Sequence, residues 1–168
     1  ERSSRKIAKA IVNKRKIKKI KTTFDLNEIV LSVKKTKNKK IHPATKTFQA
    51  LRIYINNELK DLYKALISIE KVLSEKGRLV IISFHSLEDR IVKNFIKENS
   101  IPLKKYDPKN PDQIFVYENR KVIKPSKDEV KKNRRSRSAK LRWVFRSSLK
   151  VSQLNSSHNF ISYGGIEC

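Results

Sequence analysis

"GRLVIISFHSLEDRIVKNFI", Gly77 to Ile96, changes its apolar period part-way along. Leu79 to Phe84 is a short, mostly apolar run that reads as a buried strand. From Ser86 onward Ile91, Val92, Phe95 and Ile96 fall on one face of a helix. A strand running into a helix is an α/β corner, and open α/β sheets bind ligands just past the carboxyl ends of their strands. That rule places Ser83, His85 and Ser86 beside a crevice. Glu88 and Asp89 admit two readings, an acid pair for proton transfer or first-turn acids that complement the helix dipole, with Ser86 and Asp89 as a capping pair.

Upstream of this stretch, Glu1 to Arg15 has Ile7, Ala10 and Ile11 at helical spacing among basic residues. Thr22 and Asp25 form a capping-box pattern before the stripe Leu26, Ile29, Val30 and Val33. Lys34 to Pro43 is a polar, basic break. Pro43 is placed to open a helix, and apolar residues from Phe48 to Ile69 recur at steps of three and four, predicting one long helix or two in tandem that end near Gly77. Downstream, Pro102, Pro108 and Pro111 mark a loop, and Gln113 to Glu118 and Lys140 to Phe145 read as strands. Pro125 to Ser138 is mostly charged and is expected to hold a turn of helix. The Ser-rich segment from Ser147 reads as a poorly ordered tail. The pattern is α/β, but three candidate strands make a small sheet with an unpaired edge, as half of a domain would.

The 168 residues carry a net charge of +25, from 41 Lys and Arg against 16 Asp and Glu. So large a positive potential suits polyanionic partners such as nucleic acid, the ribosome or an acidic membrane surface. A coding bias toward Lys, Ile and Asn would also raise the charge. Cys168 is the one cysteine, which excludes an internal disulfide and a cysteine metal site. His42, His85 and His158 have no metal-ligand spacing. No apolar run is long enough to span a bilayer and no signal-peptide pattern is present, so the expected compartment is the cytoplasm. The chain begins at Glu1 and contains no Met, so it is expected to be a piece of something longer.

Three segments, "IHPATKTFQALRIYINNELKDL", "GRLVIISFHSLEDRIVKNF" and "NRRSRSAKLR", resemble in order and spacing three blocks of the bacterial ribosomal RNA small-subunit methyltransferase H family. The segment "RKIAKAIVNKRKIKKIKTTFDLNEIV" is similar to that family's inserted helical domain. The resemblance implies the C-terminal part of a class I, Rossmann-like methyltransferase sheet preceded by part of the inserted domain. The implied divisions are residues 1–42, inserted domain; 43–146, C-terminal half of the methyltransferase domain; and 147–168, tail. It further implies methylation, with S-adenosylmethionine, of the exocyclic N4 of a cytidine in 16S rRNA, with 16S rRNA or the small ribosomal subunit as partner.

The chain departs from that family in places. Glu75-Lys76-Gly77 stands where the family has Pro-Gly-Gly, and Arg134 stands where a Pro is expected. Class I enzymes hold their cofactor in a Gly-rich turn that lets backbone approach the ligand; with glycines only at 77, 164 and 165, this chain has no such turn. Cofactor binding by this chain alone is therefore not expected, and an N-terminal half, separately encoded or fused, would have to supply it. An alternative is a non-catalytic RNA- or ribosome-binding remnant.

No catalytic residue is assigned from the sequence. Ser83, His85 and Ser86 are substrate-pocket candidates, with His85 expected to contact base or sugar instead of acting as an essential base. RNA-binding candidates are His42, Lys46, Arg52, Arg134, Arg135, Arg137 and Lys140. Plainer readings stand beside them: a local role for His42 before a Pro-initiated helix, a snorkelling Arg52, and a merely solvated "NRRSRSAK" loop.

Overall fold

The computed structural model describes residues 1–34, 41–107 and 114–147. The chain divides into two compact units, Glu1–Glu58 and a second beginning at Leu59. This division includes the helix after Pro43 with the first unit, whereas the family resemblance would cut the chain after His42.

In the first unit, α1 (Ser4–Ile17) packs against α2 (Thr23–Val33). Their stripes meet in a core of Ile7, Val30 and Ala44, with Ile11, Leu26, Val33 and Phe48 against it. The expected capping box is present. Thr22 Oγ1 accepts from the Asp25 N–H at 3.1 Å, and Asp25 Oδ2 accepts from the N–H groups of Lys21 and Thr22 at 2.9 Å each. Those donors hold the Asp25 carboxyl below its ordinary pKa. The next helix, α3 (Thr45–Ile55), begins two residues beyond Pro43.

The periodic stretch is two helices in tandem. After α3 the chain breaks at Asn56 and Asn57, and α4 (Glu58–Val72) follows. Asn57 adopts φ 52°, a left-handed conformation that Asn tolerates better than most residues.

In the second unit, β1 (Arg78–Ser83), β2 (Ser100–Pro102), β3 (Phe115–Tyr117) and β4 (Lys140–Arg146) form a sheet in the order β1-β4-β3-β2. The edge strand β1 pairs with β4 antiparallel, as the last strand of a class I methyltransferase sheet would, in register from Arg78↔Phe145 to Ser83↔Lys140. The short β2 runs parallel to β3 and lies where the sequence predicted only a loop. Three residues are too few for a period to show. The loop positions Pro108 and Pro111 and the strand position Gln113 lie outside the described residues, as do residues 35–40 and the tail from residue 148.

Helix α5 (Ser86–Asn99) packs on one face of this sheet. Leu79, Ile91, Val92, Phe95, Phe115 and Val144 are buried there, and Phe95 meets Phe115 edge to face at 5.8 Å. The strand at β1 is not buried on both sides, contrary to the sequence reading. Val80 and Ile82 are 52% and 54% exposed, because they alternate away from α5 onto the sheet's other face. Gly77 enters β1 where a Cβ would lie 2.7 Å from the Ser74 carbonyl, so the turn needs glycine for space. The charged stretch before β4 holds more structure than expected: α6 (Lys127–Lys132) and a 3-10 helix, Arg134–Ser138.

Candidate functional site

The corner between β1 and α5 is built by reciprocal capping. His85, in extended conformation, is the N-cap: its Nδ1 accepts from the Glu88 N–H at 3.3 Å. Glu88 returns its carboxylate, with Oε2 accepting from the N–H groups of Phe84 at 2.8 Å and His85 at 3.1 Å. The expected Ser86–Asp89 capping pair is therefore incorrect by one residue. Histidine is absent from the usual list of N-cap residues, so Ser86 drew the assignment. The signal that could have found it is Glu88, three residues after His85, as a capping box requires.

This arrangement decides what His85 can do. Because Nδ1 accepts a backbone hydrogen bond, the neutral ring carries its proton on Nε2. Nε2 lies 3.3 Å from Glu88 Oε1 but makes no well-directed hydrogen bond among the described residues. Ser86 opens the helix and is exposed, and the N–H groups of Ser86 and Leu87 meet no acceptor among the described residues. Ser83 is buried, its hydroxyl 3.5 Å from the Lys140 carbonyl.

Asp89 is displaced from the cap into the sheet. It is buried, and its carboxylate accepts from Lys140 Nζ and Arg142 Nε, each at 2.8 Å. Burial alone would raise its pKa, but the hydrogen bonds and charges of Arg142 and Lys140 outweigh it and hold the carboxyl below its ordinary value. Lys140, read from sequence as an RNA contact, is half-buried and pairs its ammonium with Asp89.

Just before β4, the turn that carries Arg134, Arg135 and Arg137 is braced by its own residues. Asn133 Oδ1 accepts from the Arg135 N–H at 3.0 Å, and the buried Ser136 donates its hydroxyl to the Asn133 carbonyl at 2.8 Å. The three arginines are exposed, and among the described residues only the Arg137 side chain makes a local bond, to the Arg134 carbonyl at 3.0 Å. Because Ser83 pairs with Lys140, this turn lies at the same end of the sheet as His85.

His42, Lys46 and Arg52 belong to the first unit. His42 is exposed and its Nδ1 accepts from the Ala44 N–H at 3.3 Å, while Lys46 is exposed in the first turn of α3. Arg52 does hold a carboxylate, but the chain's own: its guanidinium meets Glu58 at 2.8 and 3.1 Å. Sequence reasoning missed this fork because the partner lies across the Asn56-Asn57 break.

The corner does not fit the methyl-donor cofactor. It contains no glycine to let backbone approach a ligand closely, and the N–H groups of Phe84 and His85 are already bonded to Glu88, which leaves only those of Ser86 and Leu87. Among the described residues no helix is long and apolar enough to cross a membrane.

Residues 1–147 match the MraW methylase family. Several proteins called "Ribosomal RNA small subunit methyltransferase H" are similar to the chain. That of Wolbachia pipientis wMel is 53% identical over 148 residues, covering 88% of this chain and 45% of the relative. That of Wolbachia sp. subsp. Brugia malayi (strain TRS) is 50% identical over 149 residues, 88% of this chain and 43% of the relative. The protein of Rickettsia typhi (strain ATCC VR-144 / Wilmington) is 49% identical over 149 residues, 84% of this chain and 49% of the relative. With a match over nearly all its described length, the chain belongs to the MraW methylase family, and it spans somewhat less than half the length of the curated relatives it matches.

Proposed function

We propose that this chain is the C-terminal part of an S-adenosylmethionine-dependent methyltransferase that acts in the cytoplasm on the exocyclic N4 of a cytidine in 16S rRNA, within or on the way to the small ribosomal subunit. The observation that carries this reading is the β1–α5 corner, with its outward-facing arginine turn at the same sheet end, in a chain about half identical to proteins called ribosomal RNA small subunit methyltransferase H. The cofactor contacts come from the part of the relatives that this chain does not cover, whether fused to it or separately encoded.

In this reading Ser83, His85 and Ser86 shape the cytidine pocket, and Arg134, Arg135 and Arg137 hold phosphates with guanidinium forks. His85 is a poor general base here, because one ring nitrogen caps α5 and the other carries the proton. Methyl transfer to an amine asks mainly for orientation of the nitrogen, and its proton can leave late, to water. His42 and Lys46 are further RNA contacts in the first unit. Arg52, a third such candidate, is paired with Glu58.

The test combines this chain with the complementary N-terminal portion of the Wolbachia relative and supplies methyl-labelled cofactor and small-subunit RNA. Label should appear on one cytidine, and His85→Ala should raise KM for RNA more than it lowers kcat. A fall in kcat of about a thousandfold at constant KM would instead identify His85 as a general base. RNA binding without methyl transfer would support a non-catalytic remnant. The chain alone should show no cofactor heat in calorimetric titration, and micromolar binding would contradict the assignment.

A further inference from the structure

A cleft of about 210 Å3 lies beside the carboxyl-terminal half of α5, wholly within the second unit. Lys93 and Lys97 line it from α5, Arg120 and Lys121 from the loop after β3, and Arg142 from β4, and no carboxylate is among its lining residues. Pockets for drug-sized ligands span roughly 300–1,000 Å3, so this smaller cleft suits a small anionic group of a larger ligand. Its charges have different standing. Arg142 is committed to Asp89, whereas the ammonium groups of Lys93, Lys97 and Lys121 form no ion pair among the described residues. Arg120 is held in place, with its guanidinium 4.3 Å over the Tyr117 ring and Nη2 3.3 Å from the Ser100 carbonyl. A fork fixed in advance loses less freedom when it binds an anion.

The cleft is also connected to the other end of the helix. Arg90, Lys93 and Lys97 are all exposed, and their spacing puts them on one side of α5. From the His85 cap to Lys93 and Lys97 the helix rises by about 12–18 Å. We propose that this cleft binds the phosphodiester backbone of an RNA strand whose neighbouring nucleotides lie at the His85 end. The proposal rests on the RNA-substrate reading above and adds a second, distant backbone contact to it.

The test measures anisotropy of a fluorescein-labelled single-stranded oligoribonucleotide against salt, for the chain and for Lys93→Gln/Lys97→Gln/Lys121→Gln, with circular dichroism confirming that both fold. The log–log slope should fall by roughly 0.7 for each phosphate that is no longer neutralised, about 1.4–2.1 for two or three. Lys93→Glu/Lys97→Glu, which alters the helix side alone, should reduce it as well. An unchanged slope in both variants, while the parent chain binds, overturns the cleft and leaves the RNA reading intact. Failure of the parent chain to bind RNA overturns both. A parallel titration with phosphatidylserine vesicles separates the phosphate sources: loss of vesicle binding without loss of RNA binding would assign the cleft to a lipid surface and contradict the proposal.

Discussion

Two basic runs flank Ala139, and they have opposite fates. Arg134, Arg135 and Arg137 stand outward on a turn braced by Asn133 and Ser136, while Lys140 and Arg142 point inward and share Asp89. Composition does not separate them. What separates them is the strand period: residues 140, 142 and 144 alternate toward α5, and Asp89 sits one turn into that helix to receive the first two. A cation that enters a strand beside a buried acid becomes structural, and one left on a polar turn stays free for solvent or RNA.

The inward set should be the costlier to disturb. Asp89→Ala leaves two cations facing a gap, and removing one partner of a buried ion pair costs about 3–5 kcal/mol, which a denaturant or thermal melt would show. Its pH dependence has a definite sign. The folded carboxyl has its pKa below the ordinary 3.8, so its contribution is present above that value and is lost as pH falls through the folded pKa. Melts of the parent chain and Asp89→Asn should therefore converge in acid. Stability differences independent of pH would contradict the pairing.

Next in size is the entry to β1. Gly77→Ala would press a methyl against the Ser74 carbonyl and should cost about 1–3 kcal/mol by the same melt. His85→Ala removes the cap of α5, at a cost of about 1 kcal/mol. No change in its melt would mean that Glu88 alone holds the corner.

How far the sequence alone could go follows from where these interactions lie. The β1–α5 corner, the Thr22–Asp25 box and β4 as a strand were readable because each rests on local period or on spacing within one turn; that β4 runs antiparallel followed only from the family resemblance. The Asp89–Lys140–Arg142 cluster and the cleft were not, since their members are brought together by sheet register across some fifty residues, with 51 and 53 separating Asp89 from its partners. The exposure of Val80 and Ile82 escaped for the same reason: an apolar run reports propensity, and only the packed sheet shows which face is covered.

The smallest effect on stability belongs to the outward arginines. Replacing Arg134, Arg135 and Arg137 by Ala should leave the melt within about 0.5 kcal/mol, as for exposed positions generally. The division between structural and RNA-facing cations is then tested most directly by salt titration of RNA binding with this triple variant. The log–log slope should fall by roughly 0.7 to 0.9 for every phosphate the arginines no longer hold, while the fold is unaltered; an unchanged slope, or a loss of folding, would contradict it.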